Sequence, residues 1–243
     1  MTKKNSRTDR IVAALGVLIA LGLGGHAAAG QVGHLPDTSP YRDMRIKQTV
    51  TFMGGYLTGG RGKAGVGPSA GPLAGARWDF HVGGSLALFL GAMGSDLERN
   101  LVNPIEPPGP TRNFGTARQN VWVADAGINL ILTGRKTWRG IAPYAGVGAG
   151  MVFGNQVPED SVFTFSRKFH IGPQIGMRYF LNRRFHLRVE ARDLIWRMTY
   201  PSVFLTIPDE EPRTPVIDGD VDRLAEWVHH PVLLIGLGWT IRL

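Results

Sequence analysis

The chain has 243 residues, of which 43% are hydrophobic and 33 are glycine, and its formal net charge is +8 at pH 7. Its mean hydropathy is close to zero, which excludes a bundle of apolar transmembrane helices but leaves a β-barrel open, because barrel strands alternate between apolar and polar residues. The chain has no cysteine, so disulfides, thiol catalysis and cysteine-bound metals are excluded. No nucleic-acid recognition motif accompanies the basic charge, and we expect no nucleic-acid partner.

The first 29 residues have the three parts of a secretory signal peptide. A basic region precedes an apolar run at residues 11–23, and small residues follow at Ala27 and Ala29. The apolar run is short for a membrane-spanning helix and contains glycines. We therefore predict export with cleavage after Ala29, a polar periplasmic lead-in over residues 30–45, and a membrane domain over residues 46–243.

Alternation between apolar and polar residues, which is typical of a strand with different surroundings on its two faces, predicts eight strands. On the second strand Trp78 and Phe80 share one face. Arg77, Asp79 and His81 share the other. The expected strands cover residues 46–56, 72–81, 85–94, 118–132, 141–153, 163–179, 185–198 and 232–243.

The last of these strands has the most regular pattern. Its odd positions are large and apolar, among them Leu233, Ile235 and Leu237. Its even positions shrink to glycine at Gly236 and Gly238 and then become polar. Because an uncharged apolar face is one that lipid can cover, we interpret this segment as the closing strand of a transmembrane barrel.

The expected connections alternate in length. Short turns are predicted at residues 82–84, 133–140 and 181–184, and the longer loops at residues 59–71, 95–117, 154–161 and 200–227. Long loops at one rim, short turns at the other and an even strand number are typical of outer-membrane barrels. The sequence therefore predicts an all-β fold, an eight-stranded antiparallel up-and-down transmembrane β-barrel. Aromatic residues near strand ends are expected to form a membrane girdle, namely Trp78, Trp122, Tyr179 and Trp239, together with Tyr56 and Tyr144.

Four segments carry a resemblance to a known family: the signal peptide, the glycine-rich strand at residues 143–150, residues 185–192 and the closing strand. Together they resemble the small eight-stranded outer-membrane barrels of the OmpA transmembrane-domain and OmpX type, over residues 46–243. The resemblance implies an outer-membrane location with periplasmic termini. It also implies three kinds of partner: outer-membrane lipid and lipopolysaccharide, the barrel assembly machinery, and an extracellular ligand of the loops.

The inward faces of the expected barrel gather charged residues. An eight-stranded barrel is only wide enough for its own side chains, and breaking a buried ion pair costs about 3–5 kcal/mol. We therefore expect a salt-bridge network in which Glu190, flanked by Arg188 and Arg192, joins Asp79 or Asp125. This favours a polar plug, with a narrow ion path through rearranged pairs as the alternative. The predicted network consists of Arg77, Asp79, Asp125, Arg178, Arg188, Glu190 and Arg192.

The expected function is a structural or surface-interaction role without catalysis, cofactor or metal. Ser166, His170 and Glu190 lie on inward faces and raise the alternative of a lipid A-modifying enzyme. Such an enzyme must present its nucleophile where an acyl chain can reach it, beside an oxyanion donor. Inward-facing groups among several arginines do not meet that requirement.

The last long loop is acidic. Its segment Asp218-Gly-Asp220-Val-Asp222 resembles the start of a calcium-binding loop. However, Arg223 and His229 stand where the EF-hand requires glycine and glutamate. We expect a solvated acidic loop, with weak binding of divalent cations as the alternative.

Overall fold

A computed structural model of the chain describes residues 39–44, 46–158, 160, 162–205, 214–217 and 221–241. The expected signal peptide, with Ala27 and Ala29, lies outside the described residues, as do Asp218 and Asp220 of the acidic loop. Cleavage after Ala29 and the behaviour of that loop therefore stay predictions.

The described residues form ten strands and two short 3-10 helices. The helices cover Ser202–Phe204 and Val221–Leu224, and neither is long or apolar enough to cross a membrane. The strands are β1 (Tyr41–Asp43), β2 (Gln48–Leu57), β3 (Gly71–Gly83), β4 (Leu86–Val102), β5 (Asn113–Ile131), β6 (Lys136–Trp138), β7 (Ile141–Gly154), β8 (Lys168–Phe180), β9 (Phe185–Thr199) and β10 (Ala225–Ile241).

Eight of the strands close into a barrel. Each of β2, β3, β4, β5, β7, β8, β9 and β10 pairs antiparallel with the next, and β10 pairs back with β2. One circuit of the pairing leads from Leu57 of β2 to Lys47, a displacement of ten residues. Such a stagger tilts the strands and leaves an interior that side chains can fill. The predicted eight-stranded antiparallel up-and-down barrel is confirmed.

Exposed apolar side chains cover the outside of this barrel. In the middle of the strands the outward positions are mostly apolar and exposed, many of them large, and together they form an apolar belt. Hydrocarbon covers such a belt in membrane barrels. Its members include Phe52, Leu88, Leu90, Ile128, Val147, Ile175, Leu187, Ile235 and Leu237.

Strands β4 and β5 continue well beyond the belt, so the expected loop at residues 95–117 is wrong. Only residues 103–112 connect the two strands. Beyond Gly94 the polarity of β4 inverts: Asp96 and Glu98 face outward, whereas Leu97 is buried inside. Water replaces lipid outside the barrel at this height, and the exposed face becomes polar.

Two expected strand starts are wrong, and two short segments form strands that were not expected. β10 begins at Ala225 rather than Val232, and β8 begins at Lys168 rather than at residue 163. Residues 41–43 of the expected lead-in form β1, which pairs with β6 inside the expected turn at residues 133–140. This small two-stranded extension lies at the short-turn end of the barrel.

The belt predicts a depth-dependent cost for a charge on β4. Leu90→Lys, in the middle of the belt, should destabilise the folded barrel by about 2–4 kcal/mol, because lipid solvates an ammonium group poorly. The matched change Leu86→Lys, beside the β3–β4 turn, should cost only about 0–1 kcal/mol. Urea unfolding in lipid vesicles measures both values. Equal costs at the two positions would contradict the belt.

Candidate functional site in the barrel interior

The seven charged residues of the predicted network all lie inside the barrel, and none is more than 7% exposed. They come from four strands, because each strand turns alternate side chains inward. They are Arg77 and Asp79 on β3, Asp125 on β5, Arg178 on β8, and Arg188, Glu190 and Arg192 on β9.

Glu190 lies at the centre of this cluster. Arg77 donates to both of its carboxylate oxygens, at 2.5 and 2.9 Å. Arg188 donates to Oε2 at 3.0 Å, and the hydroxyl of Tyr144 donates to the same oxygen at 2.6 Å. Four hydrogen bonds from protein groups therefore satisfy the carboxylate, as a buried charge requires.

Asp79 forms the second centre. It accepts a hydrogen bond from Arg178 at 2.9 Å and another from Arg188 at 2.8 Å. The Nε of Arg188 also donates to the hydroxyl of Tyr144 at 2.7 Å. Arg188 thus joins both carboxylates in one network across the barrel.

Arg192 does not join Glu190, although the two are neighbours on one face of β9. It pairs instead with Asp125 across the interior. Gln174 accepts from Arg77 at 3.1 Å and donates to Asn129 at 2.5 Å, which extends the network by neutral groups. The expected pairing of Glu190 with arginines is present. The sequence did not show which carboxylate pairs with Arg192.

The loop end of the interior is apolar, which the sequence reading missed. Its core contains barrel residues such as Met93, Val123 and Trp196, together with residues from three loops. Phe163 and Phe165, which fall within the expected sixth strand at residues 163–179, are buried in the mouth. The expectation was wrong because both precede β8 and belong to the loop. The loop residues in this core are Ala64, Val66, Phe163, Phe165, Tyr200, Phe204 and Ile217.

Arg99 holds one of these loops in the mouth. It is buried on the extension of β4 and donates to Asp160 at 2.5 Å and to the carbonyl of Phe163 at 3.1 Å. Asp160 in turn accepts from the backbone N–H of Val162 and Phe163. Arg99 was missed because residues 95–117 were predicted to form a loop. The buried residues Leu97, Arg99 and Leu101 nevertheless occupy every second position, which is the pattern of a strand.

A second contact ties strand ends and loops together. The hydroxyl of Tyr200 donates to Glu226 at 2.5 Å, and the backbone N–H of Lys63 donates to the same oxygen at 2.6 Å. Burial and the Glu226 carboxylate raise the pKa of Tyr200 above its ordinary value, so the phenol stays a donor. Loops β2–β3 and β9–β10 are therefore joined over the mouth.

The structure does not assemble the Ser-His-acid arrangement. Ser166 is exposed in the loop before β8. His170 is buried opposite Trp196 on β9, six residues from Glu190. At about 3.3 Å per residue this separates His170 from Glu190 by roughly 20 Å along the strand. The three groups cannot act on one bond. They therefore do not form the arrangement that raised the alternative of a lipid A-modifying enzyme.

The aromatic residues of the expected girdle lie on the outside, with one exception. Trp78, Trp122, Tyr179 and Trp239 are exposed on the outer face, and their role as a girdle stays a prediction. Tyr144, which was also expected there, is buried in the charge network. Among the described residues no cluster of His, Asp or Glu could hold a metal ion.

Comparisons with known proteins agree with the fold. No protein-family model matches the chain, and no curated protein matches it. Neisserial surface protein A is similar in structure, with a TM-score of 0.50 and 9% identity over 84% of this chain and 98% of that one. OprG from Pseudomonas aeruginosa has a TM-score of 0.49 and 13% identity, covering 82% and 98%. The E. coli Outer Membrane Protein W has a TM-score of 0.42 and 13% identity, covering 81% and 98%.

The likeness to Neisserial surface protein A shows that the chain has the fold of a small eight-stranded outer-membrane barrel, and the predicted resemblance is confirmed at that level. The belt of exposed apolar side chains is the surface that hydrocarbon covers. Only closed barrels and helices satisfy their backbone groups within lipid. With its closed barrel and apolar belt, the protein is an outer-membrane β-barrel.

The network predicts a large effect of a single neutral substitution. Glu190→Gln should destabilise the barrel by about 3–5 kcal/mol, because Arg77 and Arg188 would lose their shared carboxylate in a buried site. The control Asp96→Asn removes an exposed pair with Arg118 and should cost about 0–1 kcal/mol. Equilibrium unfolding in vesicles measures both. Similar small costs would contradict a stabilising network.

Proposed function

We propose that this protein is a closed outer-membrane barrel with a structural and surface-interaction role, whose loops and protruding hairpin act outside the cell. The observation that carries the proposal is the network around Glu190 and Asp79, which fills the interior with directly paired side chains. A barrel blocked in this way presents surfaces rather than a passage. Outer-membrane lipid, lipopolysaccharide and the assembly machinery are the proposed membrane partners.

The surface for an extracellular ligand would be the β4–β5 hairpin and the loops beside it. The hairpin extends above the belt and carries an exposed phenylalanine, Phe114. Arg112 donates to the carbonyls of Glu106, Thr214 and Pro215, which joins the hairpin to the β9–β10 loop. These bonds hold the two loops as one surface, and a preordered surface loses less entropy when it binds.

Bilayer conductance tests the closed interior. The protein reconstituted in planar bilayers should give no discrete conductance steps, because the guanidinium and carboxylate groups pair with each other rather than with passing ions. The variant Glu190→Gln distinguishes a closed barrel from a narrow pore. Steps in the wild-type protein that disappear in Glu190→Gln would support a narrow pore and contradict the proposal.

Single cysteines test which end faces outward, since the chain has none of its own. Thr111→Cys in the β4–β5 loop should react with a membrane-impermeant maleimide on intact cells. Arg183→Cys in the β8–β9 turn should react only after the outer membrane is permeabilised. The opposite pattern would place the loops in the periplasm and overturn the surface role.

Adhesion of whole cells tests the interaction itself. Cells producing the protein would be compared with cells in which residues 105–110 are replaced by a glycine–serine turn, on immobilised matrix proteins and glycans. The proposal predicts that binding above the empty-vector level depends on the native hairpin. Binding by neither strain, or equally by both, would count against this surface.

A further inference from the structure

A groove of about 730 Å³ runs across the outer wall of the barrel, from β7 over β8 and β9 to β10 and β2. Ligand sites in proteins have volumes of roughly 300–1,000 Å³. Four of its lining residues are small or cyclic, namely Ala145, Pro173, Ala191 and Pro231, beside the larger Tyr56 and Leu233. Short side chains within a belt of Leu, Ile and Phe leave this depression in the wall.

Proline makes the groove a fixed feature of the backbone. Between β8 and β9 the pairing passes from Ile171 opposite Ile195 directly to Gln174 opposite Arg192. Pro173 lies in this gap and has no N–H to donate to a ladder. Pro231 faces the groove from β10, opposite Asp193. The strands therefore keep a local irregularity at the place where the wall is hollow.

An ionisable pair lies at the loop-side end of the groove. Asp193 lines it and contacts Nδ1 of His229 at 2.6 Å, on the outer face of the barrel. A charged group on the lipid-facing surface is costly unless it lies near the interface, and ionisable residues at membrane depth commonly mark functional sites. The contact pairs His229 with a carboxylate that lines the groove.

Unpaired cations follow at the upper edge of the belt. Arg197 faces outward next to Trp227 on β10, and Arg167 directly precedes β8 and is exposed. In the part of the chain that the structure describes, neither guanidinium forms an ion pair with an acidic side chain. By contrast, Arg118 on another part of the rim is paired with Asp96. Arg197 follows Asp193 by four residues on the outward face of β9, so unpaired positive charge lies beyond the loop-side end of the groove.

We propose that the groove binds a phosphorylated lipid of the outer leaflet, lipopolysaccharide, with an acyl chain along Ala191 and Pro173 and a phosphate on Arg197 and His229. The guanidinium of Arg197 can form charge-assisted hydrogen bonds with phosphate, the ring of His229 lies beside it on the same outward face of the sheet, and the apolar lining suits hydrocarbon. The site rests on the proposed outer-membrane role and gives its lipid partner a defined position. It specifies the end of the barrel that faces the outer leaflet.

Native mass spectrometry of the protein extracted in detergent, titrated with purified bisphosphorylated lipid A, tests the site. One lipid should be retained per chain. Arg197→Ala combined with His229→Ala should weaken binding about tenfold, the loss of roughly one charge-assisted contact. Ala191→Trp, which fills the groove, should weaken it similarly. Arg118→Ala should leave binding unchanged, and gel mobility before and after boiling shows that each variant is folded.

Three results would overturn the site. Equal retention by all four proteins would mean general coating by lipid, and equal retention of lipid A without phosphates would remove the role of the cations. A dimer that Ala191→Trp converts to monomers would assign the groove to a second copy of the chain instead. Conductance and surface labelling are independent of these outcomes, so failure of the lipid site is distinguishable from failure of the closed-barrel role.

Discussion

A narrow interior that must be both filled and electrically paired is the constraint on which the rest of this structure depends. Closing eight strands satisfies the backbone within lipid, but it also removes the inward side chains from bulk water. Four guanidinium groups and three carboxylates occupy this space, and Arg188 links Asp79 to Glu190. The same closure leaves the wall and the loops as the surfaces that the barrel presents to its surroundings, and the proposed surface role depends on it.

Much of the barrel could be predicted because lipid imposes a simple pattern. On β10 large residues alternate with glycine, and on β3 Trp78 alternates with Arg77 and Asp79. The prediction failed where the outward face of the strand changes from apolar to polar. Above the belt, Asp96 and Glu98 are exposed and Leu97 is buried inside, so a search for apolar outward residues ends the strand too early. A search for alternation with apolar residues on either face, outer or inner, would have extended the predicted β4.

The candidate site was predictable in composition but not in pairing. Alternation alone places Glu190 and Arg192 on one face, yet they bind partners on different strands. Those partners depend on the ten-residue stagger of the barrel, which no single strand encodes. The apolar mouth was missed for another reason: Phe163 and Phe165 lie in a loop, and it is Arg99 and Asp160, distant in sequence, that hold that loop inside.

The most direct test of the filled, paired interior is a double-mutant cycle between Arg188 and Asp79. Unfolding free energies in vesicles would be measured for Arg188→Met, Asp79→Asn and the double variant. If the interior is filled and paired, the coupling is favourable by about 1–3 kcal/mol, because each single change leaves the other charge unpaired in a buried site. Additivity within about 0.5 kcal/mol would contradict it, since residues that share no interaction behave in that way.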